Sequence, residues 1–307
     1  MNTLYDSMQS IAITLVLVLG LIILVISVLY SGQVVMPMKE VAGSIAMISS
    51  GDFNETMQIT GYSEAEDISD KFNSMLSVLQ NLEDARQEFV SNVSHELKTP
   101  ITSVKVLAES LIGQENVPVE LYQEFMVDIN EELERMNKII NDLLTLVKMD
   151  KNASEVNISE VNINEFLEAI LKQLQPIADK RNIEMIFESV RSVTAQVDEV
   201  KLAMAFRNLI ENAIKYNYDN GWVRVSLNAD HKFFYLKVSD SGVGIPEELQ
   251  DSIFERFYRV DKARSRETGG TGLGLAIVKK IILMHHGTIK MHSEEDVGTV
   301  SYTHLTL

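Results

Sequence analysis

A histidine on a predicted helix is the first candidate for chemistry in this chain. His95 lies in the run SHELKTP, residues 94–100. An imidazole nitrogen with a free lone pair is a nucleophile, and the Glu96 carboxylate can hold the other ring nitrogen as a hydrogen-bond acceptor. Thr99 follows one helical turn later and shares the face of His95, while Pro100 would bend the helix just beyond it. These neighbours favour an imidazole that becomes phosphorylated. The His-Glu pair by itself would instead favour an ordinary solvated histidine on a helix.

Four further runs downstream favour a phosphorylated imidazole over a solvated helical histidine. They are NLIENAIKY at 208–216, DSGVGI at 240–245, IFERFY at 253–258 and GTGLGL at 270–275. Together with the run around His95, and in this order, they closely resemble the H, N, G1, F and G2 boxes of the membrane-bound sensor histidine kinases of bacterial two-component systems. Each run alone is a weak signal, but five in order are specific. The resemblance implies a protein-histidine kinase that uses ATP and Mg²⁺.

The N-box run implies a magnesium and phosphate site on a helix. Asn208 and Asn212 are four residues apart and share one helical face, where their amide oxygens can hold Mg²⁺ without adding charge. Lys215 can reach a phosphate, and Tyr216 can lie against adenine. Decoration of an amphipathic helix is the weaker alternative, because neighbouring residues already supply the apolar face. Hydrolytic relatives carry a water-activating Glu at the position of Asn208, so a carboxamide there favours transfer to His95 over hydrolysis.

The glycine-containing runs imply contacts to adenine and phosphate. Asp240 ends a predicted strand, and its carboxylate can accept the exocyclic amine of adenine. Gly242 and Gly244 allow the backbone to turn tightly beside the base, although by themselves they would indicate only a turn. The last run leads into a helix whose first N–H groups favour phosphate. The nucleotide-binding residues assigned to it are Gly270, Thr271, Gly272, Leu273 and Gly274.

A lid over the nucleotide is expected between the two glycine boxes. Phe254 and Phe257 would anchor it, and it would carry Lys262, Arg264 and Arg266. Arg264 and Arg266 are assigned to nucleotide binding. A solvated basic loop is the alternative for each cation taken alone.

Composition narrows the classes of protein that remain. The 307 residues are enough for two or three modest domains, so a single globule is not expected. A net charge of −17 argues against a general nucleic-acid binder, which needs clustered Lys and Arg. The absence of cysteine excludes disulfides, thiolate zinc sites and cysteine nucleophiles.

The N-terminal region predicts one transmembrane helix at residues 11–30, in the lipid bilayer of the cell membrane. No charge occurs between Asp6 and Lys39, which exceeds the ~18 apolar residues that a span requires. A cleaved signal peptide is the alternative, but residues 1–10 contain no Lys or Arg. The flanking charges leave residues 1–10 extracytoplasmic and the remainder cytoplasmic. Because the family usually has two spans around a sensor, either sensing occurs within the membrane or an N-terminal portion is missing.

Residues 31–85 resemble a HAMP linker, which consists of two short amphipathic helices joined by an extended connector. The segment opens near Pro37, and Gly51 and Gly61 mark the connector. An ordinary helical hairpin is the alternative, and the location between a span and a kinase box favours the linker. The apolar positions of the two helices are Met38, Val41, Ile45 and Ile48, then Ile68, Phe72, Met75, Leu79 and Leu82.

Residues 86–151 predict the dimerisation and histidine phosphotransfer domain. The second linker helix is expected to continue without a break into the helix of His95, and a partner helix follows a turn near 113–118. Both helices carry an apolar stripe that one hairpin alone would leave in water, so two hairpins should form a four-helix bundle in a homodimer. The stripe of the partner helix is Ile129, Leu133, Met136, Ile140, Leu143 and Val147.

Residues 152–307 predict a catalytic ATP-binding domain after a polar linker at 151–159. Helices are expected at 166–178, 200–216 and from about 273, and strands at 183–187, 193–197, 222–227 and 233–238, with a turn through 228–230. Helices on one face of a mixed sheet make an α/β sandwich, the GHKL (Bergerat) fold of these kinases and of the gyrase, Hsp90 and MutL ATPases. The last strand is atypical: Ser301 replaces an expected aromatic, and 301–307 lack the family's Pro-containing finish, which predicts a foreign or prematurely joined tail.

The fold class expected is therefore a multidomain membrane protein with a HAMP linker, a helical bundle and an α/β ATP-binding domain. The resemblance implies autophosphorylation on His95 and transfer to an Asp of a cognate response regulator, with Thr99 serving the reverse phosphatase reaction. An ATP-hydrolysing clamp of the gyrase or Hsp90 kind is one alternative. A non-catalytic membrane scaffold that binds a regulator through its bundle is the other.

Overall fold

The computed structural model describes residues 2–49, 63–113, 117–151, 156–260 and 270–307. The chain forms two compact units, one of residues 1–91 and one of residues 92–307. Helix α2, Ser63–Ile112, contributes to both units.

The first unit begins with helix α1, Asn2–Ser49. Its segment Ser7–Ser31 has a mean hydropathy of 3.2 and no buried side chains, and it is the one helix among the described residues that is long and apolar enough to cross a membrane. The first predicted linker helix is not a separate element, because α1 continues through Pro37 to Ser49. The predicted connector, including Gly51 and Gly61, lies outside the described residues.

Helix α2 confirms that the second linker helix continues into the helix of His95. Pro100 lies inside α2 and is buried, with helix on both sides of it. Because proline has no N–H, the carbonyl of Glu96 loses its usual partner in the helical ladder at this point. Helix α3, Val119–Lys151, is the expected partner helix.

The rest of the second unit is an α/β domain. In chain order its described elements are β1 Ser159–Asn162, α4 Ile163–Asp179, β2 Glu184–Ser189, β3 Thr194–Val197, α5 Glu199–Lys215, β4 Trp222–Ala229, β5 Phe233–Asp240, 3₁₀ turns at Glu247–Leu249 and Ser252–Phe254, α6 Gly274–Met284, β6 Thr288–Glu294 and β7 Gly298–Thr306. The main sheet has the order β2-β4-β5-β7-β6, with β2 parallel to β4 and the other pairs antiparallel. The predicted α/β sandwich is confirmed.

Alternation along the strands explains why the helices cover one face of this sheet. On β4 and β5 every second residue is buried, as expected for strands with one covered face. Helices α4, α5 and α6 each bury an apolar stripe of three-four spacing against that face. Phe166 of α4 and Phe206 of α5 meet with ring centroids 6.1 Å apart, so the two helices share one core.

Two sequence-based expectations need correction. The strand predicted at 193–197 does not join the main sheet: β3 pairs with β1, whose first residue, Ser159, falls in the segment expected to be a linker. Such a four-residue strand has little local signal, because its pairing is set by a partner more than thirty residues away. The hairpin of β4 and β5 is confirmed, but β4 extends to Ala229 and the turn is closed by Asp230, whose Oδ1 accepts the N–H groups of Lys232 and Phe233.

The atypical C-terminal residues form strand β7, which lies between β5 and β6. Leu305 is fully buried in the core, and the hydroxyl of buried Thr303 donates to the carbonyl of Leu236 at 3.2 Å. A buried hydroxyl with such a partner avoids the desolvation penalty of an unpaired one. The foreign origin of this tail stays a prediction.

Two residues absent from the predicted site fix the end of α5. Arg181 donates to the carbonyls of Ile214, Lys215 and Asn217 at 2.7–2.8 Å, which are groups that a helix C-terminus leaves without partners. Buried Asn217 donates to the carbonyl of Trp222 and accepts from Ser241 Oγ. The end of α5 is thereby attached to strand β4 and to the residue after β5.

We expect Arg181→Met to destabilise the α/β domain, because three backbone carbonyls lose a charged donor. The loss should be about 2 kcal/mol, which corresponds to roughly 4–8 °C in Tm. The fluorescence of Trp222, the one tryptophan of the chain, measures unfolding of this domain. Arg191→Met is the control, since Arg191 is exposed and its side chain has no partner among the described residues. Equal Tm values for the two variants would contradict the role of Arg181.

Candidate active site

His95 lies exposed on α2, as the sequence predicts. The hydroxyl of Thr99 donates to the backbone carbonyl of His95 at 3.2 Å, so Thr99 lies one turn along the same face. Both side chains line a groove between α2 and α3. The histidine is therefore accessible, and a hydroxyl is close to it.

Glu96 does not make the contact expected of it. Its Oε2 accepts a hydrogen bond from Arg259 Nη2 at 2.9 Å instead of holding a ring nitrogen of His95. Consecutive helical side chains do not face each other, so Glu96 is directed to a different neighbour from His95. In this structure Glu96 links α2 to the ATP-binding domain.

Arg259 is a site residue that the sequence analysis missed. Its side chain is only 7% exposed, and it also donates to the carbonyl of Gly270. Burial is the main cause that lowers the pKa of Arg259, and Glu96 opposes this. The available signal was its position directly after the run IFERFY, but sequence alone does not show which helix a cation reaches.

The N box lies on α5 and faces the start of α6. Asn208 and Asn212 are half-buried, and their amides have no hydrogen-bond partner among the residues that the structure describes. A Cβ added to Gly274 would lie 3.3 Å from Asn208 Oδ1, so the N box and the G2 box are adjacent. Two neutral amide oxygens on one helical face, next to a helix N-terminus, fit a site for Mg²⁺ and phosphate.

The end of the N box meets the G1 box. The N–H of Val243 donates to the carbonyl of Tyr216 at 3.1 Å, and a Cβ on Gly242 would lie 2.4 Å from that carbonyl oxygen. Only glycine fits at 242 for this reason. Lys215 Nζ lies 5.3 Å from the centroid of the Tyr216 ring. Burial, together with nearby cations, lowers the pKa of Lys215 to about 8.

Asp240 is held by one of its two carboxylate oxygens. Oδ1 accepts the N–H groups of Gly242 at 2.9 Å and Thr299 at 3.2 Å. Within the described part of the chain, Oδ2 has no hydrogen-bond partner. Burial raises the pKa of Asp240 to about 6, although the two N–H groups oppose the rise. A fixed carboxylate with one unused acceptor oxygen is suited to an amine donor such as adenine.

Gly244 and Gly272 adopt backbone conformations that other residues rarely accept. Gly244 has φ of 67°, and a Cβ there would lie 2.0 Å from the carbonyl oxygen of Glu294. Gly272 has φ of 69° and would place a Cβ 2.9 Å from the backbone of Phe257. The N–H of Phe257 donates to the carbonyl of Gly272 at 2.9 Å. The F box and the G2 box are thus joined through their backbones.

Two assigned G2-box residues have structural contacts of their own. Leu273 is fully buried in the core, so its side chain does not line the site, and its N–H donates to Thr271 Oγ1. The Thr271 hydroxyl donates to Asp142 Oδ2 on α3 at 2.9 Å. Burial raises the pKa of Asp142, and the hydrogen bond from Thr271 opposes the rise. The assignment of Leu273 to nucleotide binding stays a prediction, and it concerns the backbone because the side chain is buried.

Phe254 ends a 3₁₀ turn and lies against α6, with Lys279 Nζ 5.6 Å from its ring centroid. Phe257 packs against the core. The anchoring of a lid by these two aromatic residues stays a prediction. Lys262, Arg264 and Arg266 lie outside the described residues.

Helix α3 also packs against the ATP-binding domain. Leu146 and Met149 belong to the same buried cluster as the helices of that domain. On the same helix, Asp150 pairs with Arg256 at 2.7 Å and with Lys280 at 3.0 Å. Pairing with Lys280 and Arg256 lowers the pKa of Asp150 despite its partial burial. The sequence analysis missed this contact, because each partner by itself is an ordinary surface charge.

Two family models match the chain. The model of the His Kinase A (phospho-acceptor) domain matches residues 85–152, and the model of the histidine kinase-, DNA gyrase B-, and HSP90-like ATPase matches residues 197–307. Sensor protein kinase WalK of Staphylococcus epidermidis is 37% identical over 274 residues, which are 88% of this chain and 43% of that protein.

This chain belongs to the sensor histidine kinases. WalK of Staphylococcus aureus is 38% identical over 269 residues, 85% of this chain and 62% of that protein. The chain thus spans less than two thirds of the length of these relatives.

Solved histidine kinases share the fold. The histidine kinase AdeS of Acinetobacter baumannii superposes with a TM-score of 0.57 at 24% identity, over 69% of this chain and 97% of that chain. The histidine kinase ThkA, in complex with response regulator protein TrrA, gives a TM-score of 0.60 at 24% identity, over 74% and 63%. At this identity the likeness concerns the fold.

Nucleotide affinity of this kinase should increase as the pH rises through about 6. The Asp240 carboxyl, with a pKa of about 6, is protonated below this pH and loses acceptor strength for the adenine amine. The change should be about tenfold. Calorimetric titration with ADP between pH 5 and 8 measures it, and Asp240→Asn, which does not titrate, should lose this dependence. Identical pH profiles of the two proteins would show that Asp240 is not responsible.

Proposed function

We propose that this chain transfers the γ-phosphoryl group of ATP to His95 and then to an Asp of a cognate response regulator. The observation that carries the proposal is the Glu96–Arg259 hydrogen bond, which joins the residue next to an exposed histidine to the nucleotide-binding half. The hydrogen bond from Thr271 to Asp142 supports the proposal, because it joins the G2-box run to α3, the helix that partners the helix of His95.

The proposed chemistry uses the groups already described. Asp240 and the backbone around Gly242 bind adenine, and Lys215 and the N–H groups at the start of α6 bind phosphate. Asn208 and Asn212 would hold Mg²⁺, which supplies neutralisation of phosphate charge when bound. Asn208 is a carboxamide and cannot act as a base toward water, which favours transfer over hydrolysis.

The proposed partners follow from exposed surfaces and relatives. Leu133, Ile140 and Val147 of α3 are 46%, 40% and 51% exposed in the single chain, so a second copy that covers this stripe would complete a bundle. The complex of ThkA with a response regulator supports a regulator as the acceptor. The apolar segment Ser7–Ser31 supports a membrane anchor with the catalytic part in the cytoplasm, where ATP is available.

His95→Gln should abolish phosphorylation of the protein. Incubation with γ-labelled ATP and Mg²⁺ should give acid-labile label on the native chain and none on the variant, because the glutamine amide cannot replace the imidazole as the nucleophile. Binding of ADP should be unchanged in the variant. Release of free phosphate without label on the protein would instead indicate the hydrolysing clamp, and neither product would indicate the scaffold.

Thr99→Ala should lower dephosphorylation of the phosphorylated regulator by roughly tenfold or more, because the hydroxyl that positions water near His95 is lost. Labelling of His95 should remain. Thr102→Ala is the matched control: its hydroxyl also donates to a carbonyl four residues earlier, at 2.8 Å, and also lines the groove. Unchanged dephosphorylation in Thr99→Ala would refute this role.

A further inference from the structure

The groove beside His95 contains an arginine that the proposed mechanism does not use. The groove lies between α2 and α3 and has a volume of about 900 Å³. His95, Lys98 and Thr99 are among the residues that line it from α2, and Asp128, Glu131, Glu132 and Arg135 line it from α3. A group attached to the imidazole would therefore share this space with the side chain of Arg135.

Arg135 is half-buried and lacks a full set of partners. Its side chain is 13% exposed, and Nη1 lies 3.8 Å from Glu132 Oε2, which is too far for a hydrogen bond. Among the described residues, neither buried Arg135 Nε nor Glu132 Oε2 has a hydrogen-bond partner. A buried donor without a partner is energetically costly, which points to an anion that the described residues do not provide.

The surroundings of Arg135 are positive on the side of the ATP-binding domain. Burial first, and then the charges of Lys138, Arg259 and Arg135, lower the pKa of Lys215. Arg135 also lowers the pKa of Arg259, for which burial is the larger cause. Arg135 thus acts electrostatically on two cations of the ATP-binding domain, Lys215 and Arg259, and this favours an anion between them. The groove itself also carries the carboxylates of Asp128, Glu131 and Glu132.

Two other cations are held or placed differently. Arg259 already donates from Nη2 to Glu96 and to the carbonyl of Gly270, although its buried Nε, like that of Arg135, has no partner among the described residues. Lys98 is exposed and offers a point charge on a flexible stem. Arg135 combines burial, unused donors and a place in the same groove as His95.

We infer that Arg135 contacts the phosphoryl group while it is transferred to His95 and while it remains there. The inference rests on the proposed function. In the step, the unprotonated ring nitrogen of His95 forms a bond to the γ-phosphorus, and the bond from that phosphorus to the bridging oxygen breaks. ADP leaves with the electron pair, and the other ring nitrogen releases its proton to the solvent to which His95 is exposed. The guanidinium can donate to two phosphoryl oxygens at once, which replaces the distant contact with Glu132.

The test measures single-turnover labelling of His95 by γ-labelled ATP and Mg²⁺ in the full chain. Arg135→Met should lower the rate at saturating ATP by about 10- to 100-fold. ADP affinity should be unchanged, since the nucleotide contacts lie on other elements. Arg135→Lys keeps the charge without the planar fork and should be intermediate. Glu132→Gln is the matched control, because it removes the paired carboxylate but leaves Arg135, and it should label at least as fast as the native chain.

Chemical rescue separates a phosphoryl contact from a structural role. Guanidinium ion, far below the concentrations that unfold proteins, should raise the labelling rate of Arg135→Ala and leave that of the native chain unchanged. Rescue requires a vacant place beside the phosphoryl group, which a general loss of packing does not create.

Three results would overturn the inference. Arg135→Met could label as fast as the native chain, or Arg135→Met and Glu132→Gln could be equally slow, which would make the pair structural. Rescue by guanidinium could also fail while the variant still binds ADP. If the native chain carried no acid-labile label, the proposed function would fail together with this inference, whereas a labelled native chain confines the failure to Arg135.

Discussion

Neighbouring side chains on an α-helix point about 100° apart, and the phosphoacceptor end of this molecule depends on that constraint. His95 is exposed on α2, while Glu96, the next residue, is hydrogen-bonded to Arg259 of the ATP-binding domain. One residue stays open to a phosphoryl donor and the other ties the helix to the half that binds the donor. Two residues four apart would share a face and could not separate these contacts.

Acidic residues of α3 hold the ATP-binding domain in the second unit, in addition to the contact made by Glu96. Carboxylates on α3 hold the ATP-binding domain: Asp150 pairs with Arg256 and Lys280, and Asp142 accepts from Thr271. Buried Leu146 and Met149 add an apolar contact between these acids. Lys98 and Arg135 lie instead in the groove beside His95, so the contacts made by these acids and the proposed attraction for phosphate use different residues.

The nucleotide site could be predicted from sequence to the extent that it is made of contiguous runs. Helical spacing alone places Asn208 and Asn212 on one face, and the strand pattern before Asp240 leaves its carboxylate at the end of β5. Alternation and three-four spacing also predict most elements of the α/β domain, since these periods follow from the geometry of one element. The short strand β1 and the hydrogen bond from Arg259 to Glu96 could not be predicted, because each depends on a partner that is distant in sequence.

The residue pattern therefore specifies local features: an apolar span, long amphipathic helices, an exposed histidine and five boxes in a recognisable order. The packing of distant segments adds that Arg181 completes the end of α5 and that Leu273 belongs to the core. It also brings Arg135 into one groove with His95. Hydrogen bonds and burial between distant segments depend on how whole elements pack, and a periodic pattern specifies the buried face of an element but not the partner that covers it.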